Sequence, residues 1–280
     1  MTTPTEALRK RLAAPEILIV PGCFDALSAR IVEQAGAEAA FMSGFAVSAS
    51  RAALPDVGLL SYGEVVDQGR SICSAVSIPV FGDADTGYGD ERNVRRTVEG
   101  FAAAGFAAVM IEDQTWPKQC GHTPGKTVVP RAEAVARVEA AVAARDAGAD
   151  VLILARTDAL ATDGLEEVVD RAKAFADAGA DILFPEAPTH EQEMASLCET
   201  LPLPVMANMV EGGLSPLLEP RRLEELGYCM VAYPLTGLSA AACAMRQAAE
   251  GLVGGRSAAE LLSFAELKAL VGFPEGRAHG

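Results

Sequence analysis

Lys118-Gln119-Cys120-Gly121-His122 brings an ammonium, a thiol and one of only three histidines into five consecutive positions. Zinc is a poor match, because Cys120 and His122 have no second Cys/His pair at ligand spacing. A Cys-His nucleophile is also a poor match. Residues two apart seldom pair as nucleophile and base, and no oxyanion-hole motif accompanies them. A thiol near neutrality can act as a general acid, handing a proton to a carbanion. Lys118 and His122 favour the thiolate, whereas burial favours the thiol. The plain alternative is a loop without chemistry, rich in Gly and Pro (CGHTPGK).

Acidic side chains form the second constellation. Asp83 and Asp85 lie two apart after the apolar run IPVFG, so on a strand they face the same way. Two carboxylates aimed together repel unless a proton or a cation lies between them. Glu112 ends another apolar run, AAVMIED, and Asp56 in LPDVG could join through a water. All-oxygen ligands suit Mg²⁺, with Mn²⁺ as an alternative. Two other readings stand beside this. The acids could cap a helix opened by DTGYGDERN, or its glycines could form a phosphate nest, which the acidic neighbours disfavour.

Further polar groups follow apolar runs in the same way. Ser43-Gly44-Phe45 ends AAFMS, and its backbone N–H groups could hold a carboxylate. Arg156 ends VLILART, where a cation needs an anionic partner. That partner is either a substrate carboxylate or a structural acid, Glu186 or Asp158. Glu186 ends DILFPEA and Asn208 ends LPVMANM.

These positions are the ends of strands. Eight short apolar runs, at 17–20, 39–43, 78–85, 107–113, 151–157, 181–187, 203–209 and 228–234, alternate with stretches of helical periodicity. The joints QAGAEAAF, AAGFAAVM, DAGADVLI and DAGADILF, with ELGYCMVA as a looser copy, each read as a helix ending at a glycine before a strand. Such alternation requires parallel strands and crossover helices. Eight units predict a closed (β/α)₈ barrel, whose chemistry sits at the C-terminal strand ends. An open doubly wound sheet is the alternative, but the first strand lacks a G-x-G-x-x-G turn. Thr3-Pro4-Thr5-Glu6 predicts a capped N-terminal helix. One barrel domain over 1–280 is expected, with a helical extension at 252–280. Two S-x-x-E boxes, Ser257/Glu260 and Ser263/Glu266, open segments of that extension.

The formal charge of −15 disfavours nucleic acid and anionic membrane as partners. Six scattered cysteines without a C-x-x-C pair read neither as a disulfide framework nor as a zinc knuckle. With no apolar signal core at the N-terminus, a cytoplasmic protein is expected.

Taken in order, SGF, DADTGYG, IEDQ-x-x-x-KQCGH, ARTDAL, LFPEA, NMVEGG and YPLT resemble the isocitrate lyase/phosphoenolpyruvate mutase superfamily, over about residues 15–250. The K-x-CGH loop resembles its C–C lyase branch. The resemblance implies a barrel that swaps terminal helices, commonly as a dimer of dimers. It implies Mg²⁺ bound directly through Asp83, with Asp56, Asp85 and Glu112 acting through water. Ser43, Gly44 and Phe45, with Arg156, would bind an α-keto acid half. Lys118 to His122, including Gly121, would form a lid with Cys120 as proton donor, and Glu186 and Asn208 would contact the rest of the substrate. Phe41, EDQ-x-WPK and NMVEGG resemble the 2,3-dimethylmalate lyase, oxaloacetate hydrolase and petal death protein group. LFPEA and ARTDAL resemble methylisocitrate lyase. The implied activity is cleavage of a small di- or tricarboxylate with a 2-hydroxyl group, of the 2-alkylmalate type. Glu186 is the expected base. Methylisocitrate cleavage and oxaloacetate hydrolysis are the alternatives.

Overall fold

A computed structural model describes residues 2–256 and 260–273. Eight parallel strands run β1 (Leu18–Cys23), β2 (Ala40–Met42), β3 (Val80–Asp83), β4 (Ala108–Glu112), β5 (Leu152–Thr157), β6 (Ile182–Pro185), β7 (Met206–Asn208) and β8 (Met230–Tyr233). Each pairs with its sequence neighbours except across β6 and β7, and β1 pairs with β8. A bridge between Leu183 and Val205 closes the ring between β6 and β7, with Leu183 N–H donating to Pro204 O at 2.9 Å. This is the (β/α)₈ barrel expected from the alternation.

The helices are α1 (Pro4–Leu12), α2 (Ala26–Gln34), α3 (Gly44–Ala52), α4 (Tyr62–Ala75), α5 (Glu91–Ala104), α6 (Arg131–Asp146), α7 (Leu165–Asp177), α8 (Glu191–Thr200), α9 (Pro220–Leu226), α10 (Thr236–Val253) and α11 (Phe264–Leu270). Five of the eight helix-to-strand joints, those read from the sequence, use one device. Gly36, Gly105, Gly148, Gly179 and Gly227 have φ between +91° and +117°. The residue after each glycine donates back to a carbonyl five positions earlier, as in Phe106 N–H to Phe101 O. A side chain at such a φ would meet its own carbonyl, so glycine ends the helix and turns the chain into the next strand.

The barrel interior is filled by residues such as Val20, Phe41, Phe81, Met110, Leu154, Phe184 and Met230. Alternate strand residues face outward and pack beneath the helices in a separate cluster. Helix α1 carries the predicted capping box, Thr3 with Glu6. It places Leu8 against the interior cluster, with no exposed surface, and Thr5 donates to Asp150 O at 2.7 Å. The N-terminal end of the barrel is thereby plugged, and the C-terminal end carries the polar residues. The box at Ser263/Glu266 opens α11. The box at Ser257/Glu260 lies partly outside the described residues. No helix among the described residues is long and apolar enough to cross a membrane.

Candidate active site

Strand ends β2 to β7 deliver their polar residues to one mouth. Ser43, Phe45, Asp56, Asp83, Lys118, Cys120, Gly121, His122, Arg156, Glu186 and Asn208 line one cavity. Gly44 and Asp85 line the adjoining recess with Asp56 and Asp83. Glu112 lies beneath, with its Oε2 3.3 Å from Arg156 Nε. Thus every residue singled out in the sequence comes to the same end of the barrel.

Asp83 is the last residue of β3. Its Oδ2 accepts from Gly44 N–H at 3.0 Å, and its Oδ1 accepts from Asp85 N–H at 3.2 Å. A Cβ at position 44 would lie 2.6 Å from that Oδ2, so glycine is what lets the carboxylate approach the start of α3. The Gly44 N–H, read from sequence as a seat for a substrate carboxylate, is thus donated to Asp83. Ser43 Oγ accepts from Ala46 N–H at 3.3 Å and caps α3. Asp85 sits at φ +50°, a conformation that Asp tolerates better than most side chains. Burial pushes its carboxyl up to about 6 against the pull of Lys118, and Asp83 and Asp56 add to the rise.

The chain from 113 to 130 forms a flap between β4 and α6. Its stem is pinned by an antiparallel bridge between Gln114 and Val128 and by Val129 N–H donating to Asp113 O. Gln114 clamps the tip, since its amide both donates to and accepts from the Gln119 backbone at 2.9 Å. From the tip, Lys118 Nζ reaches Asp85 Oδ1 at 2.7 Å and also contacts Asp56. Lys126 bridges Gly121 O and Asp158, the latter at 2.9 Å. Burial works against the charge of Lys118, but Asp85 and then Asp56 outweigh it and hold its ammonium protonated. Burial pushes the Cys120 thiol up, only partly offset by a backbone hydrogen bond with His122. Cys120 therefore keeps its proton over the cavity.

Arg156 pairs with structural acids, one of the two partner types the sequence left open. Its Nε lies 2.8 Å from Asp158 Oδ2, and its Nη1 lies 3.1 Å from Glu186 Oε2. It still lines the cavity. Burial alone would raise the Glu186 carboxyl, but Arg156 and then His122 outweigh it and bring it below the usual range. Asn208 Nδ2 donates to both Glu186 oxygens at 3.2–3.3 Å, and its Oδ1 is buried with no partner. Ala187, the next residue after Glu186, has φ +57°, costing on the order of 1–2 kcal/mol for a non-glycine residue.

Several participants were not singled out from the sequence. Lys126 looked like part of a loop, and Gln114 lay just beyond the apolar run at 107–113. Asp113, which accepts from Thr157 Oγ1 at 2.6 Å, from Asp158 N–H at 2.9 Å and from Arg171 at 3.1 Å, supports the end of β5 from behind. Asp113 and Lys126 meet Thr157, Asp158 and Arg171 from 32 to 58 positions away, so no local pattern marks those pairings.

Charge tests whether a divalent cation fits. Among the described residues, six acids, on Asp56, Asp83, Asp85, Glu112, Asp158 and Glu186, face only three cations, Lys118, Lys126 and Arg156. Buried Glu112 Oε1 has no hydrogen-bond donor, and Asp85 Oδ1 has the Lys118 ammonium alone beside it. This surplus suits a hard cation. No three Asp, Glu, His or Cys side chains among the described residues converge as a finished ligand set. A site of this kind holds its ion through one or two carboxylates and completes the shell with water.

Comparison with known proteins agrees with this geometry. The family model described as phosphoenolpyruvate phosphomutase matches residues 8–253. The 2,3-dimethylmalate lyase of Eubacterium barkeri is 43% identical over 238 residues, covering 85% of this chain and 82% of that protein. A solved oxaloacetate acetylhydrolase in complex with 3,3-difluorooxalacetate superposes with a TM-score of 0.93 at 32% identity, covering 97% of this chain and 94% of the other. A solved phosphonopyruvate hydrolase complex with oxalate and Mg²⁺ gives 0.86 at 32% identity, covering 96% and 95%. The chain belongs to the phosphoenolpyruvate phosphomutase family, within the phosphoenolpyruvate mutase/isocitrate lyase superfamily.

Proposed function

We propose that this protein is a Mg²⁺-dependent carbon–carbon lyase. It cleaves a 2-hydroxy dicarboxylate of the 2-alkylmalate type, such as 2,3-dimethylmalate, into an α-keto acid such as pyruvate and a second carboxylic acid. The observation that carries this reading is the Cys120 thiol on a flap seated over an acid-rich cavity, where burial pushes its pKa up. A mutase that moves a phosphoryl group between oxygen and carbon needs no carbon acid, whereas C–C cleavage leaves a carbanion that must be protonated. The similarity to the 2,3-dimethylmalate lyase supports the same reading.

Asp83, with Asp56, Asp85 and Glu112 through water, would hold the ion; Mn²⁺ would serve in its place. The bound ion would supply charge for the substrate carboxylate and lower the pKa of the adjacent hydroxyl. Glu186, kept as a carboxylate by its neighbours, takes the hydroxyl proton. The C2–O bond becomes a carbonyl as the C2–C3 bond breaks, and the electron pair moves to C3 and its carboxylate. Cys120 gives its proton to C3, and the thiolate regains one from solvent when the flap opens. Ser43, Phe45 and Arg156 position the α-keto acid half, and Gly44 holds the Asp83 carboxylate beside it. Lys118, Gly121 and His122 seat the flap and exclude water. Asn208 Oδ1, buried and unpartnered, is free to accept from substrate.

A second reading is hydrolysis of oxaloacetate, favoured by the 0.93 TM-score to the oxaloacetate acetylhydrolase. One experiment separates the two. The purified protein with Mg²⁺ is given 2-alkylmalates, 2-methylisocitrate and oxaloacetate, and products are identified by mass spectrometry. Pyruvate with a second acid supports the lyase. Oxalate with acetate supports the hydrolase and overturns the proposal.

The same proposal includes self-association, as a dimer of dimers. Ile19 on β1 and Leu27 and Ile31 on α2 are 43–47% exposed, although a barrel strand ordinarily lies under a helix. Helix α10 and the segment beyond it expose Met245, Leu252, Phe264 and Leu267. A second copy supplying its α10 would cover both surfaces, and light scattering would then report a multiple of 29.1 kDa. All six cysteines are free thiols, which suits the reducing cytoplasm.

A further inference from the structure

The flap histidine has a built receptor on the opposite wall of the cavity. Leu214 N–H, in the loop after β7, donates to His122 Nδ1 at 3.0 Å. An Nδ1 that accepts carries no proton, so the ring proton lies on Nε2. Nε2 is 3.1 Å from Glu186 Oε1. Asn208 Nδ2 lies 3.3 Å from the same Nε2, but it is a donor too, so both groups converge on the Glu186 carboxylate. His122 thus crosses the cavity mouth from the backbone of one loop to the carboxylate at the end of β6.

Gly213 makes room for this. A Cβ there would lie 2.5 Å from His122 Nδ1 and 3.0 Å from Val210 O. Its backbone is not in the left-handed region, unlike that of Gly212 at φ +75°. Conformational freedom does not require glycine at 213; the space taken by the imidazole does.

We infer that Gly213 and Leu214 are positioning residues for the reaction. They dock the flap through His122 and fix its Nε2–H tautomer, which aims the imidazole at Glu186. This rests on the reading that the flap works over this cavity, but its test does not depend on which substrate is cleaved.

The test compares wild type with Gly213→Ala, His122→Ala and the double variant, first without substrate or metal. In ¹⁵N-histidine-labelled wild type, the signal absent from His122→Ala should show a pyridine-type nitrogen coupled to Hε1 alone, which identifies it as Nδ1. Gly213→Ala should lose that pattern. It should also speed deuterium uptake over residues 118–126 by on the order of tenfold, because local opening becomes easier. With a substrate in hand, kcat should fall on the order of 10²-fold, as misplaced groups do. In the His122→Ala background the added methyl meets no ring, so uptake and thermal midpoint should match His122→Ala alone. A wild-type tautomer and wild-type protection in Gly213→Ala would overturn the inference. So would an equal effect of the methyl with and without His122, or a double variant that fails to fold, since either would trace the glycine to the Val210 carbonyl. If the protein cleaves no 2-hydroxy acid, the labelled spectra and the exchange data still decide this point.

Discussion

Lys118 on the flap and Asp85 beyond the end of β3 meet at 2.7 Å, with both side chains almost wholly buried. A flap that closes with an ammonium among acids carries its own counter-charge into the cavity. Breaking such a pair from one side leaves an uncompensated buried charge, costing about 3–5 kcal/mol. Lys118→Met should therefore destabilise the metal-free protein by about 3 kcal/mol in a denaturant titration. Adding Asp85→Asn should recover much of that loss. Equal stability of Lys118→Met and wild type would show that the ion pair does not hold the flap.

Cys120→Ser keeps the size of the side chain but replaces the thiol with a far weaker acid. Its kcat should fall on the order of 10²–10⁴-fold with KM little changed. Iodoacetamide should alkylate Cys120 slowly at neutral pH in wild type, because burial keeps the thiol protonated. Opening the flap by Lys118→Met should speed alkylation. Normal turnover by Cys120→Ser would remove the thiol from the chemistry.

Asp85 sets a pH dependence with a definite sign. Its carboxyl is raised from 3.8 to about 6, so between those values the folded chain holds a proton that the unfolded chain has released. Its contribution to stability therefore falls as pH rises through that window. Asp158 and Glu186 are shifted the other way and favour the folded state as pH rises. The Asp85 part is read as the difference between wild type and Asp85→Asn in EDTA, where the variant should gain relative stability from pH 4 to pH 6. A difference that does not change with pH contradicts the shift.

Chelation should abolish activity and Mg²⁺ should restore it. Asp83→Ala removes the proposed direct ligand and the acceptor for Gly44 N–H, and should cost on the order of 10³-fold in kcat/KM. Titration calorimetry on the same variant should show lost Mg²⁺ binding. Full Mg²⁺ affinity in Asp83→Ala would move the ligand elsewhere.

The fold was legible because its signals are local. A glycine at a helix end and an apolar run after it are properties of a few adjacent residues, and the five joints built that way form the same backbone bond. The strand ends were legible for the same reason, since Asp83, Glu112, Arg156, Glu186 and Asn208 each follow an apolar run. Pairings were not. Lys118 meets Asp56 across 62 positions, Lys126 meets Asp158 across 32, and Leu214 meets His122 across 92. Such contacts follow from ring closure and flap seating, which no periodicity encodes. For Gly44, the sequence identified a free N–H at a strand end, but only the closed ring shows Asp83 taking it.

Cleavage of 2,3-dimethylmalate in D₂O with Mg²⁺ tests the central claim most directly. The account predicts pyruvate and propionate in equal amounts, with one deuteron at C2 of propionate, delivered through Cys120 to the carbanion. Intact substrate, with oxaloacetate converted instead to oxalate and acetate, would contradict it.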